Sequence, residues 1–106
     1  MSFELTEDQV AIRDMALSFA RDELAPNAVE WDQKKHFPVD TLRAAGELGM
    51  GGIYVSEDHG GSALSRFDAV VIFEALSQGC PTIASYISIH NMVAGMVDNF
   101  GSDEQK

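Results

Sequence analysis

Apolar residues recur along most of the chain at the three- and four-residue steps of an amphipathic helix, and the polar residues between them carry start and stop signals. Thr6-Glu7-Asp8-Gln9 has the form of a capping box, in which the Thr hydroxyl accepts from the third helical residue and the Gln side chain reaches back. Val10, Ala11, Met15, Leu17, Ala20 and Leu24 then share one broad helical face. Pro26 has no backbone donor and ends or kinks this helix near Leu24. Glu30, Asp32, Lys34 and Lys35 read as a solvated stretch, with Trp31 as an anchor into the core. A second helix is predicted to open at Phe37-Pro38, with Val39, Leu42, Ala45 and Leu48 at three-residue steps and Gly49 as its C-terminal cap. Gly51 to Val55 reads as a brief extended piece or buried loop, and Ser56 to Ser62 as a turn cluster.

The third helix opens at Ser65, with Asp68 three residues on as a capping box built on the shorter acid, and Gly79 closes it. Pro81 opens a fourth helix that runs to about Phe100 with Gly101 as its cap. That last segment is apolar over most of its circumference, which predicts burial inside the domain or against something else. Ile83, Ile87, Ala94 and Val97 are expected on its inner side. These signals predict an all-α chain of four main helices in an orthogonal or up-down bundle, forming one domain over residues 1–106. Ser102 to Gln105 repeats the capping-box pattern at the end of the sequence. A chain cut in mid-protein and a frayed polar tail both account for it.

Charge narrows the partners. Asp and Glu number 17 against 7 Lys and Arg, a formal net charge of −10, and Lys34-Lys35 is the one adjacent basic pair. A phosphate backbone or an anionic membrane surface is held by clustered basic side chains, so both are disfavoured. The 45% apolar and 23% charged shares are those of a globular domain, not of a disordered segment. Cys80 is the single cysteine, which precludes an internal disulfide and a cysteine-based zinc site and points to a reducing compartment. The acidic, Arg-poor opening from Met1 to Asp8 has neither the form of a secretory signal nor that of a transit peptide, and no stretch is long enough to span a bilayer. A cytoplasmic location follows as the expectation, with the mitochondrial matrix after transit-peptide removal as the alternative.

Chemistry-bearing residues are sparse. His36, His59 and His90 lie far apart with no ligand or base partner at helical spacing, so no metal or triad is expected. Gly49-Met50-Gly51-Gly52 follows a helix and lacks the Lys-Ser/Thr of a phosphate loop, so a cap and tight turn explain it better. Cys80 reads as a small buried side chain, and no carboxylate pair stands out for acid–base work. No catalytic residue is assigned. In the fourth helix, however, Ala84, Ser85, Ser88 and Met92 fall on one narrow face. Small side chains there leave room for something to approach; close helix packing, with each hydroxyl bonded one turn back, explains the same pattern.

Across essentially all of its length the chain resembles the N-terminal α-helical domain of the flavin-dependent acyl-CoA dehydrogenases. The residues that carry the resemblance are Leu5-Thr6-Glu7-Asp8-Gln9, Phe37-Pro38, Leu48-Gly49-Met50-Gly51-Gly52, Glu57-Asp58-His59-Gly60-Gly61, Phe73-Glu74-Ala75-Leu76 and the run Phe100 to Lys106. Cys80 followed by Ile83 to Met92 most resembles the isobutyryl-CoA dehydrogenase branch. The resemblance implies a parent enzyme in which a glutamate removes the α-proton of an acyl-CoA, FAD takes up the β-hydrogen as hydride, and electrons leave through electron-transfer flavoprotein. It further implies a middle β-domain and a C-terminal helical domain beyond this chain, a homotetramer, and a flavin site and base outside residues 1–106. The family's helical domain helps wall the acyl end of the pocket, at positions matching Ala84, Ser85, Ser88 and Met92. A stand-alone helical interaction module, binding a partner through the fourth helix, is the alternative.

Overall fold

The first helix, α1 (Glu7–Phe19), starts where the capping box places it: Gln9 N–H donates to Thr6 Oγ1 at 3.2 Å and Thr6 N–H to Gln9 Oε1 at 3.0 Å. Past Phe19 the helix widens into a π-helical turn, Ala20–Leu24, in which Ala25 N–H reaches back five residues to the Ala20 carbonyl at 2.8 Å. Pro26 has no N–H to continue the ladder, and the helix ends there. The structure is a computed structural model that describes residues 4–106; Met1 to Phe3, part of the opening read for targeting signals, lie outside the described residues.

Glu30, Asp32, Lys34 and Lys35 are exposed as expected, but the stretch they belong to is a helix, α2 (Ala28–Lys34), ended by Lys35 in the left-handed region at φ 52°. It has no fully buried residue and so no apolar stripe for periodicity to reveal. Half-buried Trp31 packs against the core as expected, and Lys34 bonds Glu30 one turn back at 2.6 Å. Next comes α3 (Val39–Glu47), with Pro38 as its N-cap residue rather than its first helical one. Gly49 leaves it at φ 92°, a conformation that favours glycine.

From Leu48 to Leu64 the chain is irregular but tied to itself: Ser62 N–H donates to Gly52 O, Leu64 N–H to Ile53 O and Ala63 N–H to Val55 O, at 2.8 to 2.9 Å. A single 3-10 turn, Glu57–His59, lies within it, and there is no strand among the described residues. Helix α4 (Arg66–Ser77) carries both bonds of its Ser65–Asp68 box, and α5 (Pro81–Phe100) has proline in its first turn. Among the described residues the helical content is therefore five α-helices plus the π and 3-10 turns, one α-helix more than the pattern predicts, in an all-α domain.

Helices α1 and α4 run in parallel. Gln9 meets Asp68 near their starts, and the backbone of Gly79 lies on Ala20 near their ends, so closely that a Cβ at Gly79 would stand 2.5 Å from the Ala20 carbonyl oxygen. Arg66, the first residue of α4, stacks over Tyr54 at 3.9 Å, and Tyr54 lies against Gly95 in the second half of α5, so α5 runs the opposite way. Leu24, Met50, Ile53, Ile72 and Leu76 are the largest apolar side chains wholly removed from solvent in the core these helices enclose, with Phe19 beside them. The domain measures 40 × 38 × 19 Å. Nineteen ångströms is about two helix diameters, so a helix in this slab is covered by its own domain on one side only.

Candidate functional site

Helix α5 meets that limit. Ile83, Ala84, Ile87, Asn91 and Gly95 are its buried side. The other half of its circumference is open, although it is equally apolar: Tyr86, Ile89, Met92, Val93, Met96 and Phe100 are between 44 and 85% exposed. Val97, expected inside, is also exposed, and Ala94 is half-buried; Ile83 and Ile87 are in the core as expected. A contiguous apolar surface of this kind marks a site of contact with something else.

The four residues singled out from the sequence do not all share that surface. Ser85 and Met92 are exposed and Ser88 is half-buried beside them. Ala84 is 2% exposed and belongs to the core, because its direction on the helix turns it toward the domain. Among the described residues, neither the Ser85 nor the Ser88 hydroxyl has a hydrogen-bond partner, whereas Ser77 of α4 bonds the Phe73 carbonyl one turn earlier at 2.7 Å. The back-bonding that would explain these serines as packing residues is therefore not made.

On one flank of the open face a cavity of about 270 Å³ lies between α3 and α5, floored by Ala45, Met50 and Ile87. Phe37 and Tyr86 close one side of it, edge to face with centroids 5.1 Å apart. Arg43 and His90 also line it. The His90 ring holds the loop, Nε2 lying 3.0 Å from the Gly51 carbonyl, a long-range contact that sequence spacing could not reveal.

A second cluster that the sequence did not announce joins Ser56, His59 and Asp98. Asp98 accepts from Ser56 N–H at 3.2 Å and from Ser56 Oγ at 3.3 Å; His59 Nδ1 lies 3.1 Å from Ser56 Oγ and 3.6 Å from Asp98 Oδ1. Serine and carboxylate thus meet the same ring nitrogen. A nucleophilic triad needs them on opposite nitrogens, so this cluster ties the loop to α5 and activates nothing. No group of three or more His, Cys, Asp or Glu able to hold a metal exists among the described residues. Cys80 is buried, and no helix among the described residues is long and apolar enough to cross a membrane.

Comparison with known proteins places this geometry. The family described as "Acyl-CoA dehydrogenase, N-terminal domain" matches residues 6–106. The chain is 51% identical over 105 residues to "Isobutyryl-CoA dehydrogenase, mitochondrial" of Bos taurus, covering 99% of this chain and 25% of that protein. The protein of the same description from Dictyostelium discoideum matches at the same identity and coverage. A solved structure described as "Electron transferring flavoprotein of Acidaminococcus fermentans: Towards a mechanism of flavin-based electron bifurcation" superposes with a TM-score of 0.91 at 34% identity, over 99% of this chain and 28% of that one. The chain spans about a quarter of the length of the curated relatives it matches.

Proposed function

The chain belongs to the acyl-CoA dehydrogenase family as its N-terminal domain, and from that premise we propose that it forms part of the acyl pocket in an enzyme that introduces the α,β double bond into a short, branched acyl-CoA such as isobutyryl-CoA. The observation that carries the reading is the open half of α5, dominated by bulky apolar side chains, with the hydroxyls of Ser85 and Ser88 set among them without a bond to the protein. Met92, one turn beyond Ser88, extends the same wall, and Ala84 supports it from the core side. Such a surface excludes water from an acyl chain, while Tyr86 and Ile89 add bulk that suits a short branched chain over a long straight one. One methylene too many against a packed wall costs about 1–3 kcal/mol, enough for tenfold discrimination.

FAD supplies the hydride acceptor in such an enzyme. The described residues do not make a site for it on their own: the net charge is −10, four of the seven basic side chains, Arg13, Arg21, Lys34 and Arg43, lie beside a neighbouring carboxylate, and the other three, Lys35, Arg66 and Lys106, stand at the end of α2, the start of α4 and the end of the sequence. The α-proton base and the flavin contacts are accordingly assigned to other parts of the parent, as are a homotetrameric assembly and transfer of electrons to electron-transfer flavoprotein. Two relatives described as mitochondrial support a mitochondrial location for the parent. The match over 99% of the chain to the corresponding quarter of dehydrogenases supports this reading over a stand-alone interaction module.

Ser88→Leu in the full-length enzyme tests it. Turnover of branched acyl-CoAs should fall by more than the loss in melting temperature explains. Unchanged kinetics on every acyl-CoA, or simple unfolding, would make these serines packing residues.

A further inference from the structure

We propose that Asn91 is a positioning residue for the acyl wall, holding α5 at the rotation and height at which Ser85, Ser88 and Met92 present their surface; this rests on the acyl-pocket reading above. Among the described residues, Asn91 is the one polar residue with a fully buried side chain, at 1% exposure. Its amide is used in three directions: Oδ1 accepts from Ile53 N–H at 2.7 Å, while Nδ2 donates to the Met50 carbonyl at 2.7 Å and to the Ile87 carbonyl one turn back at 2.8 Å. Both amide protons are thereby satisfied, and the oxygen is engaged. Ile53 N–H and Met50 C=O belong to the irregular loop, where no helix or sheet ladder would pair them, and a buried backbone group must be paired.

The consequence for α5 is geometric. Apolar contacts have no direction of their own, so a helix held by them alone is oriented only by side-chain shape. Bonds from one side chain to two points on the facing loop and one on its own preceding turn fix both rotation and height. Ser88 lies one turn before Asn91 and Met92 directly after it, so a rotation at Asn91 moves both. Two further tethers join α5 to the loop: His90 to Gly51, beside Asn91 but on the exposed side, and Asp98 to Ser56, nearer the end of the helix; Asn91 alone of the three holds it from within the core.

The test is the ratio of kcat/KM for isobutyryl-CoA to that for straight-chain butyryl-CoA, measured on the full-length enzyme at a temperature where every variant is folded. Asn91→Ala should change this ratio by about tenfold or more, because a misplacement near 1 Å is enough to do so. Ser56→Ala, which loosens an outer tether of the same loop, should lower the melting temperature and leave the ratio unchanged. Should Asn91→Ala fail to fold, Asn91→Ser decides, since it leaves room for a bridging water to the two loop groups. If both Asn91 variants lower only the melting temperature while Ser88→Leu shifts the ratio, the positioning role is overturned and the acyl wall stands. If neither they nor Ser88→Leu shifts it, the acyl wall is overturned and the positioning role with it.

Discussion

Gln9 of α1 and Asp68 of α4 are hydrogen-bonded to each other, Nε2 to Oδ1 at 3.1 Å, while each also closes the capping box of its own helix. Each side chain therefore uses one arm for its own N-terminus and the other for its neighbour's. The two helix starts are locked side by side, and the parallel register follows from it, with Ala20 and Gly79 meeting the same number of residues further along.

The Asp68 carboxyl is held below its ordinary value, first by the backbone N–H of Ser65 and further by the side chains of Gln9 and Ser65, with partial burial opposing them. A carboxyl depressed in the folded state contributes stability that is fully present above its unfolded value of about 3.9 and is lost as pH falls through the folded value. Asp68→Asn should thus cost about 0.5–2 kcal/mol at pH 7, the range for a lost cap, and the gap to the parent chain should narrow below about pH 4. Urea unfolding at pH 7 and pH 3 measures it; a gap of the same size at both would remove the charge from the account.

Two glycines should respond to alanine in opposite directions. Gly79→Ala drives a methyl into the backbone of Ala20 and should destabilise by about 1–3 kcal/mol. Gly46 sits inside α3 with open space where its Cβ would be, so Gly46→Ala should stabilise by about 0.5–1 kcal/mol through helix propensity. Chemical denaturation of the two single variants gives the signs directly.

Ile87 and Ile89 share a helix and a side-chain type but not an environment, being 4% and 59% exposed. Ile87→Ala should cost about 2–5 kcal/mol in the isolated chain. Ile89→Ala should stay within about 0.5 kcal/mol. Equal losses in thermal unfolding would mean that the open half of α5 is covered in solution.

The purified 106-residue chain should show a helical far-ultraviolet circular dichroism spectrum and remain colourless after dialysis. Stoichiometric flavin retained through dialysis would overturn the assignment of the flavin contacts to other parts of the parent.

Much of the helical layout was legible because its signals are local. Thr6 with Gln9 and Ser65 with Asp68 act across three residues, and Pro26, Pro81 and Gly49 act on their own backbone. Helix α2 is not announced by its sequence because it turns only Ala28 and Trp31 toward the core and buries neither fully, and the bonds of Asn91, His90 and Asp98 to the loop join residues about forty positions apart, a distance over which no periodicity carries information.

The sequence by itself determined that residues 81–100 form one helix, apolar nearly all round, and that Ser85, Ser88 and Met92 lie close together on it. Only the tertiary structure decided which side is covered: Ala84 was turned into the core and Val97 left outside it. A helix with a polar stripe announces its outer face, because charge and hydroxyl must stay hydrated. Since α5 has none, its orientation came from what α4 and the loop could reach across a slab two helices thick.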